Sequence, residues 1–322
     1  MAIKQLQSLV SDDMKAVDQA IHDFLASDIP LIPLIGNHVI DSGGKRLRPM
    51  VLLAGARMFG YSGDRHTKLA AVIEFIHTAT LMHDDVVDDA DQRRTRPTAN
   101  ALWGAQAPVL VGDFLFARAF EAMVTDGDMR VLEILSSATR ELAEGEVLQL
   151  ANMHDPEVDE ANYLRVVTAK TAVLFEAAAR LAAVITGRSS EEEEQIAAYG
   201  HHLGVAFQLI DDCLDYSATA EAWGKQLGND LEEGKPTLPT IHALANADHG
   251  GRDAIRRAIE EEGVALLDPV RDAIERTGAL EYTMQAARDR VQAAKDALAG
   301  LPECPERDAL RDVADFVVER EF

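Results

Sequence analysis

Residues 68–82, KLAAVIEFIHTATLM, are apolar on almost every side of a helix and run directly into HDDVVDDADQRR. A helix with no polar face belongs in the middle of a protein, surrounded by other helices. The stretch LGVAFQLI at 203–210 has the same character and also ends in a group of aspartates, DDCLD. Two such segments predict an all-α fold in which central helices are wrapped by amphipathic ones.

Helical periodicity dominates the rest of the chain, near 9–26, 108–124, 129–152, 159–186, 236–246, 252–277, 279–299 and 306–320, and the central segments extend over 66–90 and 191–217. Convincing strand alternation is absent. DIPLIP, DSGG, HDPEVD, TGRSS, ADHGG and LPECP combine turn formers or prolines with helix starts and stops, and none is long enough to link domains. Residues 1–322 are therefore expected to form one domain. The run EEEE at 191–194, following Ser189 and Ser190, reads as a capped helix N-terminus, where the helix dipole favours acids.

The balance of 55 acidic against 31 basic residues, a net charge of -24, argues against general nucleic-acid binding, because phosphate backbones attract basic surfaces. Any anionic substrate then needs a local source of cations. The two cysteines, Cys213 and Cys304, imply no disulfide framework and point to a reducing compartment, with the cytoplasm as the default. The N-terminus MAIKQLQSLVSDDMK lacks the apolar core of a signal peptide, and no apolar run reaches the length of a membrane span. Weak association with a membrane surface stays compatible with this composition.

Five aspartates fall within residues 84–91, and Arg93 and Arg94 follow at once. At about 4 Å and an effective dielectric near 20, each like-charge pair costs roughly 4 kcal/mol, so the cluster calls for a cation. In DDVVD (Asp84, Asp85, Asp88), Asp84 and Asp88 are one turn apart on one helix face. The pattern returns as Asp211, Asp212 and Asp215. Hard carboxylate oxygens of this kind suit Mg²⁺, completed by water and phosphate oxygens. One such motif alone reads as a solvated acidic helix end. Two copies, each ending an apolar helix, describe a mouth that binds a polyanion above an apolar cavity, where Arg93 and Arg94 can grip phosphate oxygens directly. GGKRLRP at 43–49 adds Lys45, Arg46 and Arg48, but without Walker A spacing, so it is not a nucleotide-binding P-loop.

In chain order, GGKRLRP, FIHTATLMHDDVVD with QRR, AKT at 169–171, FQLIDDCLD, and GKQLGNDLEEGKPTLP at 224–239 resemble the signature set of the trans-isoprenyl diphosphate synthases, in their long-chain polyprenyl branch. The resemblance runs from about residue 40 to 240. It implies a helical bundle of the isoprenoid synthase type around a deep apolar cavity, usually homodimeric. Such an enzyme condenses isopentenyl diphosphate head-to-tail onto an allylic diphosphate, giving a long all-trans polyprenyl diphosphate for a quinone side chain.

The same resemblance implies three Mg²⁺ ions, two on Asp84 and Asp88 and one on Asp211, with Asp85, Asp212 and Asp215 in support. Arg93, Lys170, Lys225 and Lys235 are implied to hold the allylic diphosphate, and Lys45, Arg48, His77 and Arg94 the isopentenyl diphosphate. His77, seven residues before Asp84, lies on nearly the same helix face about 10 Å along the axis. Oxygens near Lys170, Thr171 and Gln208 are where the family stabilises the allylic cation; metal and cationic side chains stabilise the departing diphosphate, which itself takes up the proton. The glycine-rich segment 224–239 can close over the bound diphosphate.

The resemblance has departures. Thr95 stands where the family commonly has Gly, and the terminal EREF offers only Arg320 where relatives have a basic C-terminus. His201 and His202 point about 100° apart on a helix and are not read as a metal pair. Competing readings are a synthase of shorter products, a class I terpene cyclase, and a non-catalytic helical subunit. A cyclase normally lacks the second DDxxD and has no use for GGKRLRP. Product length is expected in the octaprenyl to decaprenyl range, because Ala79 and Thr80, about 6 to 7.5 Å below Asp84, are small where short-product relatives carry bulky aromatics. Ile73, Ile76, Phe116 or Phe120 are candidates for the floor of the tunnel.

Overall fold

A computed structural model describes residues 2–93, 96–217 and 227–319, with the backbone alone of Glu262. Helices α1 (Ala2–Leu9), α2 (Ser11–Leu25), α3 (Leu31–Ile40), α4 (Leu47–Met58) and α5 (Arg65–Val87) come first. Two-residue strands β1 (Gln92–Arg93) and β2 (Arg96–Pro97) pair antiparallel, with Gln92 opposite Pro97 and Arg93 opposite Arg96. Then follow α6 (Ala99–Trp103), α7 (Gln106–Asp126), α8 (Met129–Asn152) and α9 (Glu160–Val167). A single π-helical turn, Thr168–Ala172, leads into α10 (Val173–Ile185), and α11 covers Ser190–Tyr216. The last elements are α12 (Asn229–Glu232), α13 (Leu238–Asn246), α14 (His249–Arg257), α15 (Leu267–Arg276), α16 (Ala279–Ala297) and α17 (Pro305–Val318).

These elements fall into two compact units. The first comprises Met1–Thr139, Ala177–Ala197 and Leu301–Leu310. Its core is built on α4 and α5. Met50 to Ala54 are buried in unbroken succession, as are Ala70 to Ile73, Phe75 and Ile76. The all-round burial of α5 is what its sequence predicts. Phe24 of α2 meets the Phe75 ring edge-on at 5.8 Å between centroids. Asp13 accepts two bonds from Arg57, at 2.8 and 2.5 Å, so its burial is offset by a bidentate pair. At the start of α11, Ser189 Oγ accepts from the Glu192 N–H at 3.2 Å, while the Ser189 N–H donates back to Glu192 Oε2 at 3.2 Å. This reciprocal cap is the arrangement expected before the glutamate run.

The second unit comprises Arg140–Glu176, Ala198–Gly300 and Arg311–Phe322. One part of its core gathers Tyr216, Leu231, Ala243, Ile255, Ile259, Val270 and Ile274 from α11 to α15. Lys295 Nζ binds both carboxylate oxygens of Asp315, at 2.8 and 2.9 Å.

The helical segments expected at 66–90, 108–124, 129–152, 191–217, 236–246 and 279–299 are present, with ends shifted by a few residues. Three differences have physical causes. Segment 252–277 is not one helix: a π turn (Ala258–Glu262) and a 3₁₀ turn (Gly263–Leu266) interrupt it where Gly263 adopts φ +51°. Leu31–Ile40 and Leu47–Met58 are helices that periodicity does not reveal, because both are short and broadly apolar and each carries a proline in its first turn, where the missing N–H does no harm. The β1–β2 pair is too short to show alternation.

Candidate active site

Both aspartate motifs sit at the C-terminal ends of long helices. A helix C-terminus carries partial negative charge, so carboxylates there are disfavoured by the dipole as well as by one another. The Asp88 N–H closes α5 by donating to Asp84 O at 2.8 Å, and Asp89 beyond it takes φ +47°. Within the first unit Asp84 and Asp88 are half-buried at the helix end, whereas Asp85 between them is only 2% exposed. Arg93 Nε, on β1, donates to Asp85 Oδ1 at 2.7 Å. Burial pushes the Asp85 carboxyl up, and Arg93 opposes that shift without cancelling it.

The second unit repeats this division of labour. Asp211 and Asp215 are half-buried on the last turns of α11, and Asp212 is 4% exposed. Asp212 accepts from Tyr163 OH at 2.5 Å and from Gln208 Nε2 at 2.7 Å. Burial drives its carboxyl up to about 7, against the two bonds that favour the charged form. Asp215 accepts the N–H groups of Asn229 and Asp230 at 3.2 and 3.0 Å. It thereby anchors the first turn of α12, in the segment GNDLEEGK.

Lys170 and Thr171 occupy the π turn, an irregularity found most often at functional sites. Lys170 Nζ pairs with Glu146 Oε2 at 2.5 Å. Thr171 Oγ1 donates to Gln208 Oε1 at 2.9 Å. The approach of α11 to this turn depends on Gly204, where a Cβ would lie 2.6 Å from Ala172 Cα. Lys235 donates its N–H to Asp230 O at 2.7 Å, and its side chain pairs with Glu233. His154, at φ +60°, donates its N–H to Gly234 O at 2.8 Å and Nδ1–H to Ile259 O at 3.0 Å. Gly234 itself has φ +64°, and a Cβ there would meet His154 Nδ1 at 2.2 Å.

In the first unit, Arg48 Nη1 donates to His77 Nε2 at 3.1 Å. A guanidinium can only donate, so in this contact His77 Nε2 is the acceptor. Lys45 is exposed just before α4, after Gly43 and Gly44 at φ +89° and +153°. Ala79 is fully buried, and Thr80 Oγ1 donates to His77 O at 2.7 Å. Ile73 and Ile76 are fully buried, Phe116 packs on His83, and Phe120 lies exposed on α7. Arg94, Thr95, Lys225 and Arg320 lie outside the described residues.

Among the described residues, no group of three or more His, Cys, Asp or Glu side chains gathers as a ready-made metal cage. The half-buried carboxylates at each helix end nevertheless fit Mg²⁺, which keeps several waters and is commonly bound by one or two carboxylates plus substrate phosphates. Of the three aspartates implied as supports, Asp85 and Asp212 are buried and accept side-chain hydrogen bonds, and Asp215 is half-buried and accepts two backbone N–H groups. Tyr163, Glu146 and His154 escape motif reading. Each is joined to a motif only through the fold.

The sequence profile of the polyprenyl synthetase family matches residues 30–275. The octaprenyl diphosphate synthase of Escherichia coli (strain K12) is 48% identical over 322 residues, all of each chain. A decaprenyl diphosphate synthase from Rhodobacter capsulatus superposes with a TM-score of 0.95 at 46% identity, covering 99% of both chains. A polyprenyl synthase from Caulobacter crescentus CB15, complexed with calcium and isoprenyl diphosphate, gives 0.94 at 46% identity over 99% and 98% of the two chains. The all-α fold and its paired aspartate motifs are those of a trans-prenyltransferase. The chain belongs to the polyprenyl synthetase family.

Proposed function

We propose that this chain is a Mg²⁺-dependent synthase that adds isopentenyl diphosphate units to an allylic diphosphate until an octaprenyl to decaprenyl chain is reached. The observation that carries this reading is the shared burial pattern of the two motifs: in each, the first and fifth aspartates are half-buried at a helix end and the second is buried and held by hydrogen bonds. Asp84, Asp88 and Asp211 would hold three Mg²⁺ ions, whose charge would stabilise the leaving diphosphate.

Arg93, Lys170, Lys225 and Lys235 bind the allylic diphosphate. Lys45, Arg48, His77 and Arg94 bind isopentenyl diphosphate. The allylic C–O bond breaks, the isopentenyl alkene attacks the resulting cation, and the diphosphate released takes the proton. The Gln208 carbonyl and Thr171 oxygen face the cation. Ala79 and Thr80 leave room for the growing tail.

The whole chain, residues 1–322, acts as one synthase domain and pairs as a homodimer. Exposed apolar residues on α7 and at the start of α8, among them Leu110, Val124 and Met129, support an interface there. Among the described residues no helix is long and apolar enough to cross a membrane. Cys213 and Cys304 are free thiols, which supports action in the reducing cytoplasm on a product destined for a quinone, with weak membrane-surface contact on release.

The test is an assay of the purified chain with an allylic diphosphate and Mg²⁺, with and without isopentenyl diphosphate, in which extracted products are sized and diphosphate release is measured. Long prenyl products that require isopentenyl diphosphate support the reading. Hydrocarbon formed without it indicates a cyclase, and no diphosphate release indicates a non-catalytic subunit.

A further inference from the structure

A run of three hydrogen bonds links α9, the π turn and α11. Tyr163 OH donates to Asp212 Oδ2 at 2.5 Å, Gln208 Nε2 donates to Asp212 Oδ1 at 2.7 Å, and Thr171 Oγ1 donates to Gln208 Oε1 at 2.9 Å. The direction of the run follows from donor chemistry. Gln208 Nε2 donates to Asp212 and Gln208 Oε1 accepts from Thr171; with Asp212 ionised the carboxylate only accepts, so the end of the amide that faces it is the NH₂ end. The carbonyl end is thereby turned to the π turn. Thr171 spends its single proton on that carbonyl, which leaves the threonine lone pairs directed away from it.

We propose that Tyr163 is a positioning residue for the condensation: its hydroxyl fixes the Asp212 carboxylate, and Asp212 in turn fixes the Gln208 amide with its negative end, rather than its NH₂, facing the allylic cation. This rests on the prenyltransferase reading above. Gln208 lies one turn before Asp212 on α11, so the two side chains share a face, but that spacing alone leaves the amide free to turn over. Tyr163 comes from another helix and supplies the second fixed point. Its side chain is buried and a phenylalanine ring would fill the same space, so Tyr163→Phe removes the hydroxyl alone. If that hydroxyl is removed, the carboxylate keeps one donor instead of two and can rotate. The amide is then released to present NH₂ towards positive charge, which disfavours the cation.

The experiment compares wild type, Tyr163→Phe, Gln208→Ala and the double variant as full-length chains. Single-turnover condensation of labelled isopentenyl diphosphate onto an allylic diphosphate is measured in Mg²⁺, with thermal unfolding recorded in parallel. Tyr163→Phe should lower the turnover rate at least tenfold with both KM values within about twofold of wild type. In the Gln208→Ala background the same change should cost less than about twofold, because the group it positions is gone. A purely structural role would lower the rate by the same factor in both backgrounds.

Equal losses in the two backgrounds, or a Tyr163→Phe rate within twofold of wild type, overturn the role of Tyr163 while wild-type activity still upholds the prenyltransferase reading. Wild type that forms no prenyl product overturns both. If Tyr163→Phe does not fold, Tyr163→Met carries the same expectation, since it likewise removes the hydroxyl that donates to Asp212. Its loss must likewise shrink below about twofold with Gln208→Ala, and an undiminished loss overturns the proposal.

Discussion

Arg93 Nε lies 2.7 Å from Asp85 Oδ1, tying the first strand after α5 back onto the second aspartate of DDVVD. Asp85 is 2% exposed, so the pair is the means by which a buried carboxylate is tolerated. Arg93→Ala should destabilise the metal-free chain by about 1–3 kcal/mol, towards the lower figure because the arginine side chain is itself 32% exposed. The loss should be smaller at pH 5 than at pH 7, since the Asp85 carboxyl, already raised by burial, rises further without Arg93 and a protonated acid needs no cation. Urea unfolding at the two pH values measures it; an equal loss at both would contradict this role for the pair.

Asp212 predicts a second pH effect. Its carboxyl is pushed up to about 7, chiefly by burial, against an unfolded value near 4. Between these values the folded chain holds a proton that the unfolded chain releases, so stability declines as pH rises through that window and levels off above it. Melting temperature against pH in chelator should show this slope, and Asp212→Asn should flatten it. Added Mg²⁺ should also flatten it, because a nearby cation favours the ionised carboxylate. A slope of the same steepness in Asp212→Asn would assign it to other groups.

Much of this site can be read from the chain because its chemistry recurs. DDVVD and DDCLD declare themselves through duplication at the ends of apolar helices, and the structure adds which aspartate of each is buried. Helix α5 is plain from its composition, whereas α4, equally buried, is hidden by its brevity and by Pro49. Tyr163 gives no signal: it stands 49 positions from Asp212, and nothing local to either residue specifies the bond. The π turn is similarly silent, since Thr168–Ala172 has the residues of an ordinary helix and the close approach of Gly204 to Ala172 is set by residues distant in the chain.

Product length offers a third test, and the structure separates its two variants. Ala79 is fully buried, so a phenylalanine there meets a packed interior and should lower stability by about 1–3 kcal/mol besides any effect on the product. Thr80 is only partly buried and its hydroxyl is turned back to His77 O, which makes Thr80→Phe the cleaner substitution. That variant should release products of a few isoprene units while the first condensation keeps most of its rate. Chromatography of extracted products decides; full-length product from Thr80→Phe would place the length limit elsewhere.

Mg²⁺-dependent incorporation of labelled isopentenyl diphosphate by wild type, Asp84→Ala and Asp211→Ala, each with metal and with chelator, tests the paired-aspartate assignment most directly. The expected result is long-chain product from wild type only when Mg²⁺ is present, with turnover slower by roughly 10² to 10³ in each variant. Near wild-type turnover in both variants, or full wild-type activity in chelator, would contradict the assignment of Asp84 and Asp211 as metal ligands.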